Sequence, residues 1–223
     1  MSIFSRLFRT SAERQFQKIL DEAHRKTEKE LRPLSNLSLA IVKASMNCRD
    51  GIKDFIETPA EKERQQAEIL AFFEFIYFFM HLSMREAFAR MSEAEIKHLQ
   101  EQLGPVIAST TIRSYFDHWP DNLKRRMTSD FYENLNRAEI EYAECSRFDS
   151  AALAKERSKE VAVRLFKSLG EQVASIIGHE RDANYASRVA EVALKEFAPL
   201  NFAKLIEDFK RDSVELPRIP HRG

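Results

Sequence analysis

The segment ILAFFEFIYFFMH, Ile69 to His81, carries five phenylalanines and a tyrosine with no glycine or proline between them. At about 100° per residue, Phe72, Phe73, Phe75, Ile76, Phe78, Phe79 and Met80 spread over most of a helix circumference. A helix that is apolar nearly all round is a buried one. The segment therefore predicts the centre of an all-α fold with other helices packed round it. One narrow line escapes the aromatic belt: Glu63, Ala67, Glu74, His81 and Arg85 fall within roughly 20° of each other at this spacing.

That line has two readings. The simpler expectation is a strip facing water, where polarity is ordinary. The alternative is a polar line inside the bundle, where burial shifts the pKa of a carboxyl or imidazole and prepares it for a ligand or a proton. Under the alternative, Glu74, His81 and Arg85, with Tyr77, form a ligand-binding set for an apolar small molecule, a lipid tail or a flat cofactor. Glu74 and His81 are seven residues apart, roughly 10 Å along the axis, and do not bond each other. The expected face for the line is solvent.

Composition narrows the classes. Lysine plus arginine equals aspartate plus glutamate, 35 each among 223 residues, so no net field points to nucleic acid or an anionic surface. Lys124-Arg125-Arg126 is the densest basic run, and Asp121 and Asp130 flank it, so no nucleic-acid partner is expected. Glycine is scarce and no alternating Val/Ile/Thr runs appear, which argues against strands. The two cysteines, Cys48 and Cys145, form no CxxC pattern and read as reduced thiols. The opening MSIFSRLFRTSAERQ lacks the continuous apolar core of a secretory signal. The apolar part of the aromatic segment, to Met84, is shorter than the ~20 residues of a span, with Glu74 and His81 at hydrocarbon depth. The expected compartment is the cytoplasm.

Helix punctuation is dense. Thr10-Ser11-Ala12-Glu13 has the capping-box form and precedes a stripe from Phe16 to Leu31; Pro33 kinks or ends that helix. Leu34 to Asn47 follows, stopping near Gly51. Thr58-Pro59-Ala60-Glu61 opens the aromatic helix, expected to run to about Met91. Ser92-Glu93-Ala94-Glu95 starts a short helix (Ile96, Leu99, Leu103) expected to end at Gly104-Pro105, with another from Val106 to about Tyr115. Phe131, Leu135, Ala138, Tyr142 and Cys145 mark a bundle seam. Asp149 or Ser150 caps a helix that ends at Gly178, and Asn184–Phe197 and Phe202–Phe209 complete the count. The expectation is seven to nine helices in one domain over 1–212, with a short amphipathic element at 1–9 and an extended tail at 213–223.

No catalytic constellation stands out, and no catalytic residue, metal or cofactor is assigned. Glu95-Ile96-Lys97-His98 has the Glu-x-x-His spacing of di-iron bundles, but such sites need two of these pairs and further glutamates. Asp117, His118 and Trp119 sit at a predicted loop where a carboxylate beside an imidazole suits acid–base work. There the structural reading, turn chemistry with tryptophan anchoring the loop, is preferred. Gly178-His179-Glu180-Arg181-Asp182 reads as a helix end. Ile3, Phe4, Leu7 and Phe8 with Arg6 and Arg9 suit a weak membrane-surface contact through Phe4 and Phe8, or docking on protein.

The expected function is a non-enzymatic cytoplasmic helical protein that binds a protein partner or a second copy of itself, with Phe72, Phe75 and Phe79 in the core or the subunit interface. Its motive is an apolar belt too wide for one layer of neighbouring helices. The alternative is a bundle that holds an apolar small molecule in its core through Glu74 and His81.

Overall fold

The computed structural model describes residues 32–57, 60–116, 118–145 and 154–214. Among them it shows seven α-helices, one 3-10 turn and no strand. The helices are α1 (Arg32–Gly51), α2 (Glu61–Arg90), α3 (Glu93–Phe116), α4 (Asp121–Glu144), α5 (Ala154–Ile176), α6 (Ala183–Phe197) and α7 (Phe202–Val214). The 3-10 turn, Lys53–Phe55, follows α1. The all-α expectation is met. The helix expected before Pro33, the element at 1–9, the caps at Thr58-Pro59 and at Asp149 or Ser150, and the tail beyond 214 lie outside the described residues. Ser213 and Val214, assigned to that tail, still belong to α7.

One correction concerns Pro105. The helix expected to stop at Gly104-Pro105 runs on without a break to Phe116. Proline cannot donate to the carbonyl of residue 101, at a cost of about 3 kcal/mol in a helix interior. Glu101 and Pro105 both lie on the exposed side of the helix, where water can reach the backbone. Leu99, Leu103, Ile107, Ala108 and Ile112 meanwhile form one unbroken buried stripe. Burial of several such side chains, roughly 1.5–3 kcal/mol for each of the larger ones, outweighs the proline.

The chain gathers into two compact units. One consists of Arg85–Asp130 with the segments up to Leu39 and from Phe202 onward. Its buried residues include the α3 stripe and Phe202, Ile206 and Phe209 of α7, and the His98 ring of α3 lies 6.0 Å from that of Phe209. On its surface Arg90 pairs with Glu207 at 2.8 Å and Lys210 approaches Glu95 at 3.6 Å. Arg90 also pairs with Glu86.

The other unit consists of Ala40–Met84 and Phe131–Asn201. Every residue from Ala71 to His81 is buried in it. The rings are covered from several sides. Phe73 and Tyr77 meet Phe131 of α4 at 6.0 and 5.3 Å between centroids. Phe78 meets Tyr142 of α4 at 5.3 Å and Phe166 of α5 at 5.0 Å, and Phe166 continues to Phe197 of α6 at 5.6 Å. The guanidinium of Arg49 on α1 lies 5.9 Å from the Phe72 ring centre. Phe72, Phe75 and Phe79 are therefore core residues of a single chain. α2 is long and apolar enough by length and composition to cross a membrane, and 72% of its most apolar window is buried inside the protein.

Glycine is required at two points here, one for a close approach and one for a positive φ. A Cβ on Gly170 of α5 would fall 2.1 Å from the carbonyl oxygen of Ala186 on α6, so only glycine permits that approach. At the end of α5, Gly178 has φ +92°, with its N–H donating to Ser175 and that of His179 to Ala174. This is the helix stop the sequence pointed to. Asp182 then caps α6, accepting from the N–H groups of Asn184 and Tyr185.

Candidate functional site: a polar ring in the aromatic core

Glu74 and His81 are buried, with 2% and 4% of their surfaces exposed. The solvent-facing expectation for this part of the line is thereby overturned. The physical reason is α4, which turns a row of polar side chains toward them. Tyr142 Oη donates to Glu74 Oε1 at 2.7 Å, and Arg137 Nη2 lies 3.6 Å from Glu74 Oε2. His81 Nδ1 lies 2.8 Å from Glu139 Oε2. Arg85, by contrast, is exposed and belongs to the first unit. Tyr77 is buried, with its ring against Phe73 and Phe131. The structure thus brings Glu74 and His81 to one helix partner, whereas Arg85 lies exposed in the other unit.

The network round Glu74 closes on itself. Gln172 of α5 donates through Nε2 to Glu141 Oε2 at 2.8 Å, and Arg137 reaches Glu141 at 3.9 Å. Gln172 Oε1 also stands 3.4 Å from the Tyr142 hydroxyl. A phenol has one hydrogen, so it cannot serve Glu74 and Gln172 together. If Glu74 holds a proton it donates to the Tyr142 oxygen, and the phenol hydrogen is released to Gln172. Burial raises the Glu74 carboxyl above its ordinary range, against the Tyr142 hydrogen bond and the Arg137 charge. Tyr142 is pushed well up by burial and by Glu74 beside it, which keeps the phenol neutral.

His81 has a different environment. A carboxylate only accepts, so the hydrogen of a neutral His81 sits on Nδ1, toward Glu139. The lone pair is then on Nε2, which is buried without a hydrogen-bond partner among the described residues. The Tyr142 ring lies 5.6 Å away between centroids. A histidine oriented by a carboxylate, with its second nitrogen open, is the arrangement used by general bases and by metal-bound imidazoles. No group of three His, Cys, Asp or Glu that could hold a metal ion occurs among the described residues.

The other candidates are structural or surface features. Glu95 caps α3: Ser92 donates to Oε2 through both its backbone N–H and its hydroxyl, each at 2.7 Å. His98 is exposed, with Gln102 Nε2 at 2.9 Å. His179 Nε2 lies 2.8 Å from the Phe55 carbonyl oxygen and its ring stacks on Tyr185 at 3.5 Å. Trp119 is partly exposed with its ring 4.7 Å from Phe116, and His118 is exposed; Asp117 lies outside the described residues. Lys124 sits 3.8 Å from Asp121.

Arg137, Glu139, Glu141, Tyr142 and Gln172 were not singled out from sequence as site residues. Tyr142 carried a signal only as an apolar position of the α4 seam. Glu139 and Glu141 flank that seam, and acids there gain meaning only once a buried glutamate and histidine face them. Compared with protein-family models, curated proteins and solved structures, the chain matches none.

Proposed function

We propose that the chain is a non-enzymatic cytoplasmic helical protein that acts by binding a protein partner or a second copy of itself. The aromatic belt is enclosed by its own chain, so the docking side chains are others. Phe88 supports the reading most directly: it lies near the end of α2 with 63% of its surface exposed. A phenylalanine is the kind of apolar anchor that interfaces concentrate. Native mass spectrometry and light scattering on the purified full chain test it. The expected result is a dimer, or a defined complex when the partner is supplied, that Phe88→Ser weakens. A chain that stays monomeric at high concentration and behaves identically as Phe88→Ser removes the self-association form.

A second reading is favoured by the burial of Glu74 and His81: the helical unit that contains them holds an apolar small molecule with these groups as its polar contacts. Comparison of native with denatured mass reports any retained ligand.

A further inference from the structure

We propose that Phe88 docks on a second copy of the chain at Ile140, with Arg85 meeting Glu144 beside the apolar contact. The inference rests on the self-association form of the first reading above and adds to it the surface that receives Phe88. The chain is neutral as a whole, but its two units are not. The unit that contains Arg85–Asp130 carries 20 lysines and arginines against 16 aspartates and glutamates, and the unit that contains Phe131–Asn201 carries 15 against 19. Opposite net charges draw unlike units of two copies together and set like units apart.

Each unit also shows an apolar anchor with a charge of its own sign beside it. Phe88 on α2 and Ile140 on α4 are both 63% exposed. Arg85 stands three residues before Phe88, and Glu144 stands four after Ile140. Those spacings put each charge on the same helix face as its anchor, with about 5–6 Å between Cβ atoms. The Arg85 and Glu144 side chains are exposed and have no partner among the described residues. Neighbouring charges are already engaged. Arg90 is held by Glu86 and Glu207, and Arg137, the one cation between Glu133 and Glu144, is turned to Glu74 and Glu141. An aromatic ring with an arginine is what interfaces concentrate, and an acidic helix face with an aliphatic centre complements it. Phe88 set against Phe88 would instead bring one Arg85 toward the other. Used reciprocally, the two faces close a dimer in which each copy gives one ring and receives one.

Sedimentation of the full chain over a range of concentration and salt tests the pairing, with circular dichroism to confirm that each variant is folded. The wild type should dimerise, less tightly as salt rises. Phe88→Ser and Ile140→Ser should each weaken the dimer at least tenfold. Mixed in equal amounts, those two variants should form a one-to-one heterodimer, because the intact Phe88 of one meets the intact Ile140 of the other. Arg85→Glu and Glu144→Arg should likewise associate poorly alone and recover on mixing, since each then finds the opposite charge. These four side chains are exposed, and the charge swap still decides the matter if a serine variant does not fold. A dimer that Phe88→Ser weakens and Ile140→Ser leaves unchanged overturns this inference while the role of Phe88 stands. Loss of the dimer in Leu194→Ser but not in Ile140→Ser overturns it in the same way, by moving the receiving surface to α6. A wild-type chain that stays monomeric at every concentration removes the inference together with the self-association form on which it rests.

Discussion

Glu74 with His81 and Glu95 with His98 are the same two residue types carried on helices, and each pair stands out in the sequence. In the unit of Ala40–Met84 and Phe131–Asn201, the first pair lies beneath the surface and finds Tyr142, Arg137 and Glu139. In the other unit, Glu95 turns back to Ser92 at the start of its own helix and His98 faces outward to Gln102. The spacings differ, seven residues against three, but what decides each pair's role is its surroundings. A glutamate at a helix start has orphan N–H groups within reach. A glutamate in mid-helix among phenylalanines has only what a neighbouring helix supplies.

The largest way to break the contrast is to remove the aromatic shielding. Phe78 contacts Tyr142 and Phe166 and is fully buried. Phe78→Ala should cost about 3–5 kcal/mol through lost burial and the cavity left behind. Urea unfolding would report it as a lowered midpoint. A cost under about 1 kcal/mol would mean that water already reaches these rings, and the buried status of Glu74 would go with them.

Next comes Tyr142→Phe, which keeps the ring and removes the hydroxyl that donates to Glu74 at 2.7 Å. A buried group left without its partner costs about 1–3 kcal/mol. Glu74→Gln, Tyr142→Phe should recover part of that loss, because an amide replaces a carboxyl that has lost its donor. Additive effects of the two changes would show that they do not share one network.

The two glutamates should also respond to pH in opposite senses. Burial raises the Glu74 carboxyl above its ordinary 4.5, so between that value and the folded one the folded chain keeps a proton that the unfolded chain has released. Its contribution is full below the ordinary value and is lost as pH rises through the folded value. For Glu95, the Ser92 backbone N–H and then its hydroxyl lower the carboxyl below 4.5. That contribution is full above the ordinary value and is lost as pH falls through the folded one. Relative to wild type, Glu74→Gln should therefore gain stability as pH rises above about 4.5, while the deficit of Glu95→Gln should be full above about 4.5 and shrink as pH falls below it. Urea midpoints of the three proteins from about pH 2.5 to about pH 8 cover both windows and read the two signs directly. Equal slopes for the two variants would refute the assignment of different environments.

Much of the scaffold was legible because its signals are local. Gly178 marked the end of α5 and the breaker at Trp119-Pro120 separated α3 from α4. The aromatic segment announced its own burial. Pro105 misled because a local rule was outweighed by the buried stripe of Leu99, Leu103, Ile107 and Ile112, whose burial depends on packing beyond the helix itself. The Glu74–His81 line misled for a related reason. Its position on the helix was readable, but its exposure depends on Tyr142 and Glu139, more than fifty residues further on, and no periodicity within α2 encodes them. Tyr142 in particular was counted for its ring, whereas its hydroxyl organises the site.

The smallest expected effect completes the contrast. His98→Ala removes an exposed imidazole whose hydrogen-bond partner is Gln102 on the same helix at 2.9 Å and whose ring is 6.0 Å from Phe209. Alanine favours the helix slightly more than histidine does, and surface changes of this kind stay within about 0.5 kcal/mol. The same substitution at His81 opens a space in the core and leaves Glu139 facing it, with a cost of about 1–3 kcal/mol. The two histidine-to-alanine variants, measured side by side in urea, compare one chemical change in two settings. Should His98→Ala prove the costlier, Phe209 would be leaning on that imidazole for its burial, and the exposed pair would have a structural role as large as the buried one.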